Sequence, residues 1–162
     1  MKRRLAVAIA TFGGVGFFPV ASGTAGSAAF LALYAIVLAA GAGAGDAALA
    51  ALQVGVAALL LAAGVWACGE TEARFGKDGG EMVVDEAFGM LVSVAFIAPR
   101  VSHLLGAFFL FRLFDIVKPW PAARCERIAG GWGVMLDDLV AGIYANAALR
   151  AGIAAWGALR GG

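Results

Sequence analysis

Two long stretches of the chain carry no charged residue. They cover residues 5–45 and 47–69 and are separated by Asp46. An apolar stretch of about 18 or more residues can cross a lipid bilayer as a helix. The composition agrees, because 62% of the residues are hydrophobic and 14% are charged, against roughly a quarter charged in soluble domains. We therefore predict an all-α fold, an integral membrane helical bundle of about four to six helices, in a single domain over residues 1–162.

Glycine, proline and polar residues mark where the helices begin and end. Breakers at residues 13, 14, 16 and 19 favour a short or re-entrant helix within residues 5–22. A cleaved signal peptide is the alternative there. Ser22 or Thr24, and then Asp46, are expected to cap the next two helices, which are expected to form an antiparallel hairpin. A connector over residues 118–133 is expected to hold a short helix near residues 122–129. The longer predicted helices cover the apolar run that ends at about residue 40, and about residues 47–67, 83–98, 101–117 and 134–159.

Two adjacent acidic pairs, Asp85-Glu86 and Asp137-Asp138, each lead into an apolar helical stretch. Carboxylates are costly beside hydrocarbon unless they have a partner. Two such pairs in one cleft would repel each other unless cations neutralise them. A hard divalent cation such as Mg²⁺ takes carboxylate oxygens, so the two pairs together predict a metal site. Either pair alone would also be explained by the affinity of acidic side chains for a helix N-terminus.

Three charged residues, Arg112, Asp115 and Lys118, recur at intervals of three in a stretch rich in phenylalanine. At that spacing they share one face of a helix. Arg112 can hold phosphate oxygens in a forked geometry, and Lys118 can add a point charge. Alternatively, Arg112 and Asp115 pair with each other while Lys118 reaches the membrane interface. The residues alone leave both interpretations open.

Other polar positions give weaker indications. Residues 23–27, Gly-Thr-Ala-Gly-Ser, lie at a predicted helix N-terminus, which offers N–H groups to an anion; a plain capped turn is the alternative. Cys68 and Arg74 match the C-x5-R spacing of cysteine phosphatases, but acidic residues between them would repel phosphate. Cys68 and Cys125 are expected to be buried thiols rather than a disulfide. His103 is isolated and is expected to be non-catalytic.

The basic residues suggest an orientation. They concentrate in residues 2–4, 74–77 and 118–127. If these three segments face the cytoplasm, the positive-inside rule is met and both acidic pairs lie at the cytoplasmic interface. Trp120 and Trp132 would then occupy the interfacial region, where aromatic residues are enriched. The net charge of +1 gives no indication of nucleic-acid binding.

Four blocks of this sequence resemble those of the bacterial phosphatidylglycerophosphatase A family. They occur in the family's order and cover roughly residues 11–145. One departure is Ser22, which stands where the family usually has proline. The matching pieces are Gly23-Thr24-Ala25-Gly26-Ser27; Asp78 with Val84-Asp85-Glu86 and Gly89; Phe111-Arg112-Leu113-Phe114-Asp115-Ile116-Val117-Lys118-Pro119-Trp120-Pro121; and the Gly-Gly-Trp-Gly-Val-Met-Leu-Asp-Asp block over residues 130–138.

The resemblance implies a Mg²⁺-dependent phosphatase of the bacterial inner membrane. It would hydrolyse phosphatidylglycerophosphate to phosphatidylglycerol and inorganic phosphate, by direct attack of water or through an aspartyl-phosphate. Glu86 is the preferred general base, and Lys118 is counted with the catalytic carboxylates. The expected metal ligands are Asp78, Asp85, Glu86, Asp137 and Asp138. The expected substrate-binding residues are Thr24, Ser27, Arg112, Asp115 and Lys118.

Three other functions are alternatives to a lipid phosphatase. Intramembrane carboxylates beside Arg and Lys also suit a cation or proton transporter, but that class favours polar residues at the bilayer midplane and repeated halves. A CDP-alcohol phosphotransferase would carry a D-G-x-x-A-R signature, which the sequence lacks. A purely structural subunit would leave both acidic pairs without a purpose. No oligomeric state is predicted.

Overall fold

The computed structural model describes residues 1–41, 43, 45–77 and 79–161. These residues form seven α-helices and a 3-10 turn at Val15–Phe17, with no strand among them. The predicted all-α fold is therefore confirmed, with more helices than expected because two of them are short. The helices are α1 Lys2–Ala10, α2 Ser22–Ala40, α3 Asp46–Phe75, α4 Val84–Val94, α5 Val101–Val117, α6 Ala122–Cys125 and α7 Gly131–Gly161.

Three helices, α2, α3 and α7, are long and apolar enough to cross a membrane, judged by length and composition. Large apolar side chains such as Ile36 on α2 and Leu59 on α3 point outward and are exposed. Water would disfavour so much outward apolar surface, whereas lipid tails accept it. These helices agree with the prediction of a membrane bundle.

Helix α4 lies at the centre of the bundle and packs against α2, α3, α5 and α7. All of its residues except Glu86 and Val92 are buried. The contact with α7 is close because Gly89 and Gly142 put no side chain between the helices: a Cβ on Gly142 would lie 2.6 Å from the carbonyl oxygen of Gly89. Small residues allow such close approach of helices in lipid. This approach holds the second and third turns of α7 against α4.

Several predicted boundaries were wrong by one or two turns. Helix α5 has the predicted bounds, but α3 continues past residue 67 to Phe75, where Gly76 at φ 86° ends it. The extra turns contain glutamate, alanine and arginine, which are good helix formers. Helix α4 stops at Val94 rather than near residue 98. The early break in the first apolar segment was predicted correctly, since α1 ends at Ala10.

The predicted caps of α2 and α3 were also wrong. Ser22 begins α2 instead of capping it, and its hydroxyl donates to the carbonyl oxygen of Gly80. Asp46 is likewise the first residue of α3. Helix α2 packs mainly on α4, whereas α3 packs on α1, α4 and α7. The hydroxyl of Tyr34 accepts a hydrogen bond of 2.7 Å from Gln53 Nε2, which links α2 to α3.

Replacing Asn146 with leucine is expected to lower the thermal stability of the protein in detergent. Asn146 Nδ2 donates to the carbonyl oxygens of Val92, Ser93 and Ala95 at 3.0–3.1 Å at the end of α4, where Val92 also accepts from the N–H of Ala95 and Ala95 also accepts from Arg150 Nη2. Loss of partners for such carbonyls costs about 1–3 kcal/mol. Thermal unfolding would measure the change. The control is Gly152→Ala on the same helix, where an added Cβ has no neighbour within 4 Å; equal melting temperatures for both variants would contradict the expectation.

Candidate active site

One end of the bundle gathers polar groups from four helices. Asp85 and Glu86 lie in the first turn of α4, and Asp138 lies near the start of α7. Arg112 comes from the last turns of α5, and Gly23 from the first turn of α2. The N-termini of α2 and α4 therefore meet here, and their partial positive charge favours carboxylates and other anions, while Asp138 lies about two turns into α7. Asp85 and Glu86 therefore lie where the positive end of a helix dipole lowers the cost of their negative charge.

Three of the four paired acids come together. Asp85, Glu86 and Asp138 each offer a carboxylate oxygen, and these oxygens lie within 4.8 Å of one another. Asp85 Oδ1, Glu86 Oε2 and Asp138 Oδ2 are buried, and none has a hydrogen-bond partner among the described residues. A buried carboxylate oxygen normally has a partner. A divalent cation that binds oxygen ligands fits this arrangement, since it would satisfy all three oxygens at once.

Burial makes this group of acids costly to ionise. It raises the pKa of Asp85 well above its ordinary value, and the nearby carboxylates of Glu86 and Asp138 raise it further. Burial also raises the pKa of Glu86. Without a cation, such a group retains protons at pH values where an exposed carboxyl is ionised. A bound cation would reverse this preference, because its charge favours the ionised form.

Arg112 borders the acidic group. Its Nη1 atom is 2.7 Å from Asp115 Oδ2 and 4.0 Å from Glu86 Oε1. The carboxylate of Asp115 in turn faces that of Asp138. The Nε atom of Arg112 is buried without a partner in the described part of the chain. The predicted Arg112–Asp115 ion pair is therefore present, but the guanidinium retains a donor for an anion.

The N-terminus of α2 faces the same place. A Cβ on Gly23 would collide with Glu86 Oε1 and lie 3.1 Å from Arg112 Nη1, so a larger residue would displace the Glu86 carboxylate. No described side chain caps α2, and its first N–H groups are thus available to an anion. Thr24 lies in this turn and is partly exposed. Ser27 is buried, and its hydroxyl donates to the carbonyl oxygen of Gly23 at 2.9 Å. Sequence reasoning gave Gly23 no role of its own, because its close contact is tertiary.

Asp137 and Lys118 form a second contact beside the acidic group. Lys118 Nζ donates to Asp137 Oδ2 at 2.7 Å and lies 3.4 Å from Glu126 Oε2. Adjacent residues of a helix point about 100° apart, so Asp137 faces Lys118 while Asp138 faces the other acids. Glu126 was absent from the predicted site, and its position in the connector gave no signal. Asp78, the remaining expected ligand, lies outside the described residues.

The remaining sequence candidates are the two cysteines, Arg74, His103 and two tryptophans. Cys68 and Arg74 both lie within α3, so the segment between them does not form a phosphate-binding loop. Neither cysteine forms a disulfide with a described residue. His103 Nδ1 is 2.7 Å from the carbonyl oxygen of Ala98. Trp120 and Trp132 are exposed.

Comparison with known proteins adds independent information. A family model described as phosphatidylglycerophosphatase A matches residues 8–153. A Bacteroides thetaiotaomicron protein named as a phosphatidylinositol-3-phosphatase is 37% identical over 153 residues, which cover 89% of this chain and 92% of that protein. Haemophilus influenzae and Escherichia coli proteins, both named phosphatidylglycerophosphatase A, are 42% and 37% identical. Those alignments cover 54% and 49% of this chain, and 56% and 48% of the two proteins. No solved structure matches the chain.

Proposed function

This chain belongs to the phosphatidylglycerophosphatase A family of phosphoric monoester hydrolases, and we propose that it hydrolyses phosphatidylglycerophosphate in a Mg²⁺-dependent reaction. The products would be phosphatidylglycerol and inorganic phosphate. Family membership agrees with the resemblance found in the sequence, and it favours an enzyme over a cation or proton transporter. We further propose that the protein lies in a bacterial inner membrane with its site toward the cytoplasm, where its basic segments satisfy the positive-inside rule.

The observation that carries the proposal is the group formed by Asp85, Glu86 and Asp138. Its three carboxylates converge and each has a buried oxygen without a hydrogen-bond partner among the described residues, and Arg112 lies beside them with an unpaired Nε donor in the same part of the chain. A cation flanked by a guanidinium and a helix N-terminus is an arrangement suited to a phosphate monoester. Mg²⁺ is the preferred ion because it is commonly held by one or two carboxylates together with substrate phosphate and water.

The chain's own residues have distinct roles in the proposed reaction. Asp85, Glu86 and Asp138 hold the Mg²⁺, which when bound supplies positive charge to phosphate oxygens and lowers the pKa of a nearby water. Arg112 and the first N–H groups of α2 hold the phosphate, with Thr24 in reach of the head group. Asp115 orients Arg112 through the 2.7 Å contact. These groups place positive charge where negative charge develops during phosphoryl transfer.

The chemical step balances without a covalent enzyme intermediate. The oxygen of a water molecule bonds to phosphorus, and the bond between phosphorus and the glycerol oxygen breaks. Glu86 accepts the proton that the water loses. The leaving glycerol oxygen takes this proton from Glu86 and becomes the hydroxyl of phosphatidylglycerol, which returns Glu86 to its carboxylate form. Glu86 suits this role because it lies between the acidic group and Arg112 and is partly exposed, unlike Asp85 and Asp138.

Phosphate release from synthetic phosphatidylglycerophosphate tests the proposal. The purified full chain in detergent is expected to release phosphate with Mg²⁺ and to lose at least about a hundredfold of its rate in EDTA, because the acids then lack their counterion. A parallel assay uses phosphatidylinositol 3-phosphate, the lipid suggested by the name of the Bacteroides relative. Faster hydrolysis of that lipid would replace the proposed substrate, and equal rates with and without Mg²⁺ would remove the metal from the mechanism.

A further inference from the structure

The second acidic pair is divided between two tasks. Asp138 contributes an oxygen to the group that it forms with Asp85 and Glu86. Asp137 Oδ2 accepts a 2.7 Å hydrogen bond from Lys118 Nζ. Because α7 separates neighbouring side chains by about 100°, a rotation of this helix that turned Asp137 toward the other acids would turn Asp138 away from them.

Asp137 is the more buried of the two carboxylates that contact Lys118 in the described part of the chain. The side chain of Asp137 is 4% exposed, whereas that of Glu126 is 42% exposed. Solvent screens an exposed ion pair, while a buried pair holds its geometry far more strongly. A lysine side chain has four flexible bonds and loses conformational entropy when it is held in one position. A buried carboxylate at hydrogen-bond distance provides that restraint.

The backbone of Lys118 supports the same conclusion. It ends α5 in a left-handed conformation, at φ 45° and ψ 61°, and Pro119 follows it. Left-handed backbone is uncommon for residues other than glycine and favours a definite surrounding structure. Its N–H nevertheless donates to the carbonyl oxygen of Phe114 at 2.8 Å. The backbone at the end of α5 is thus in a defined conformation, from which the ammonium reaches Asp137 on α7.

We propose that Asp137 is a positioning residue for Lys118 and is not a ligand of the metal. This proposal rests on the proposed function and gives Asp137 a role different from the one expected from the sequence. Asp137 holds the ammonium beside the place where phosphate binds, so that Lys118 supplies a fixed point charge. Because the carboxylate of Asp137 already pairs with the ammonium of Lys118, it attracts Mg²⁺ less strongly than the carboxylate of Asp138 does.

Binding measurements on three variants of the full chain test the proposal. Mn²⁺, which prefers oxygen ligands as Mg²⁺ does, is the metal probe and is followed by electron paramagnetic resonance. Asp137→Asn is expected to change the Mn²⁺ dissociation constant by less than about twofold, whereas Asp138→Asn raises it at least about tenfold. Glu126→Gln, which removes the exposed partner of Lys118, is the matched control and is expected to resemble the unsubstituted protein.

Inorganic phosphate is the second probe, read as the inhibition constant or by calorimetry. Asp137→Asn and Lys118→Met are each expected to weaken phosphate binding by about tenfold. The double variant is expected to be no weaker than Lys118→Met alone, because both changes remove the same contact. Additive losses, or loss of Mn²⁺ binding in Asp137→Asn, would overturn the proposal. An unsubstituted protein that binds both probes but hydrolyses no lipid phosphate would count against the proposed function alone, since these measurements need no turnover.

Discussion

Replacing both Asp85 and Asp138 with asparagine is expected to reduce phosphate release by at least about a thousandfold, because the loss of metal assistance costs several kcal/mol in the transition state. The same variant is expected to unfold at a higher temperature than the unsubstituted protein when EDTA is present. Asparagine fills nearly the same volume but carries no charge, so it relieves the repulsion within the acidic group. Activity and stability would thus move in opposite directions, which misfolding does not produce.

The pH dependence of unfolding gives the same experiment a second readout. In the metal-free protein, burial raises the pKa of Asp85 and Glu86. As pH rises above the ordinary carboxyl range near 4, the unfolded chain loses these protons while the folded chain keeps them. The folded state then binds more protons than the unfolded state, so stability falls with rising pH until the folded pKa is passed. The double variant lacks the contribution of Asp85, and its melting temperature is expected to fall less over this window.

A matched control separates the acidic group from acidic residues in general. Asp46 begins α3 and is exposed, so Asp46→Asn removes a carboxylate outside the acidic group. Its activity and its melting curve in EDTA are expected to match those of the unsubstituted protein. A double Asp85/Asp138 variant that hydrolyses the lipid at the normal rate, or that melts at a lower temperature in EDTA, would contradict the metal site.

The sequence predicted the class of fold and the family better than the details of packing. Helix α5 has the expected bounds because prolines flank it on both sides, which is a local signal. The end of α3 and the caps of α2 and α3 were wrong because neighbouring segments decide them: Ser22 bonds to Gly80 across the bundle rather than to its own helix. Local propensity holds no information about such a partner.

For the candidate site, too, the residue types were easier to predict from the sequence than their packing. The residue types in the two acidic pairs predicted a cation site, since buried carboxylates need compensation wherever they meet. The direction in which each acid points depends on the rotation of α7 against α4, which is set by the contact of Gly89 with Gly142. Because Asp137 and Asp138 are adjacent, the sequence alone did not show that they have different partners. Gly23 shows this as well, because its constraint comes from side chains on two other helices.

Replacing Arg112 with alanine is expected to lower the rate of phosphate release about 100- to 1,000-fold without weakening metal binding, because removal of one preorganised donor has this effect on a developing negative charge. The guanidinium lies close to Asp115 and Glu86. Its removal leaves these carboxylates with less positive charge nearby, so the dissociation constant for Mn²⁺ is expected to stay the same or to fall. Variants of the proposed metal ligands Asp85 and Asp138 would instead raise the dissociation constant for Mn²⁺.

Arg112→Lys distinguishes a forked contact from a simple point charge. Lysine keeps the charge but cannot offer two parallel N–H groups to phosphate oxygens. If Arg112 binds phosphate through its fork, the lysine variant is expected to recover less than about a tenth of the lost rate. Arg160→Ala is the matched control, since Arg160 lies over the ring of Trp156 in the last turn of α7, about 33 Å along the helix from Asp138. Weaker Mn²⁺ binding in Arg112→Ala, or full activity in Arg112→Lys, would place this residue in a structural role instead of on the phosphate.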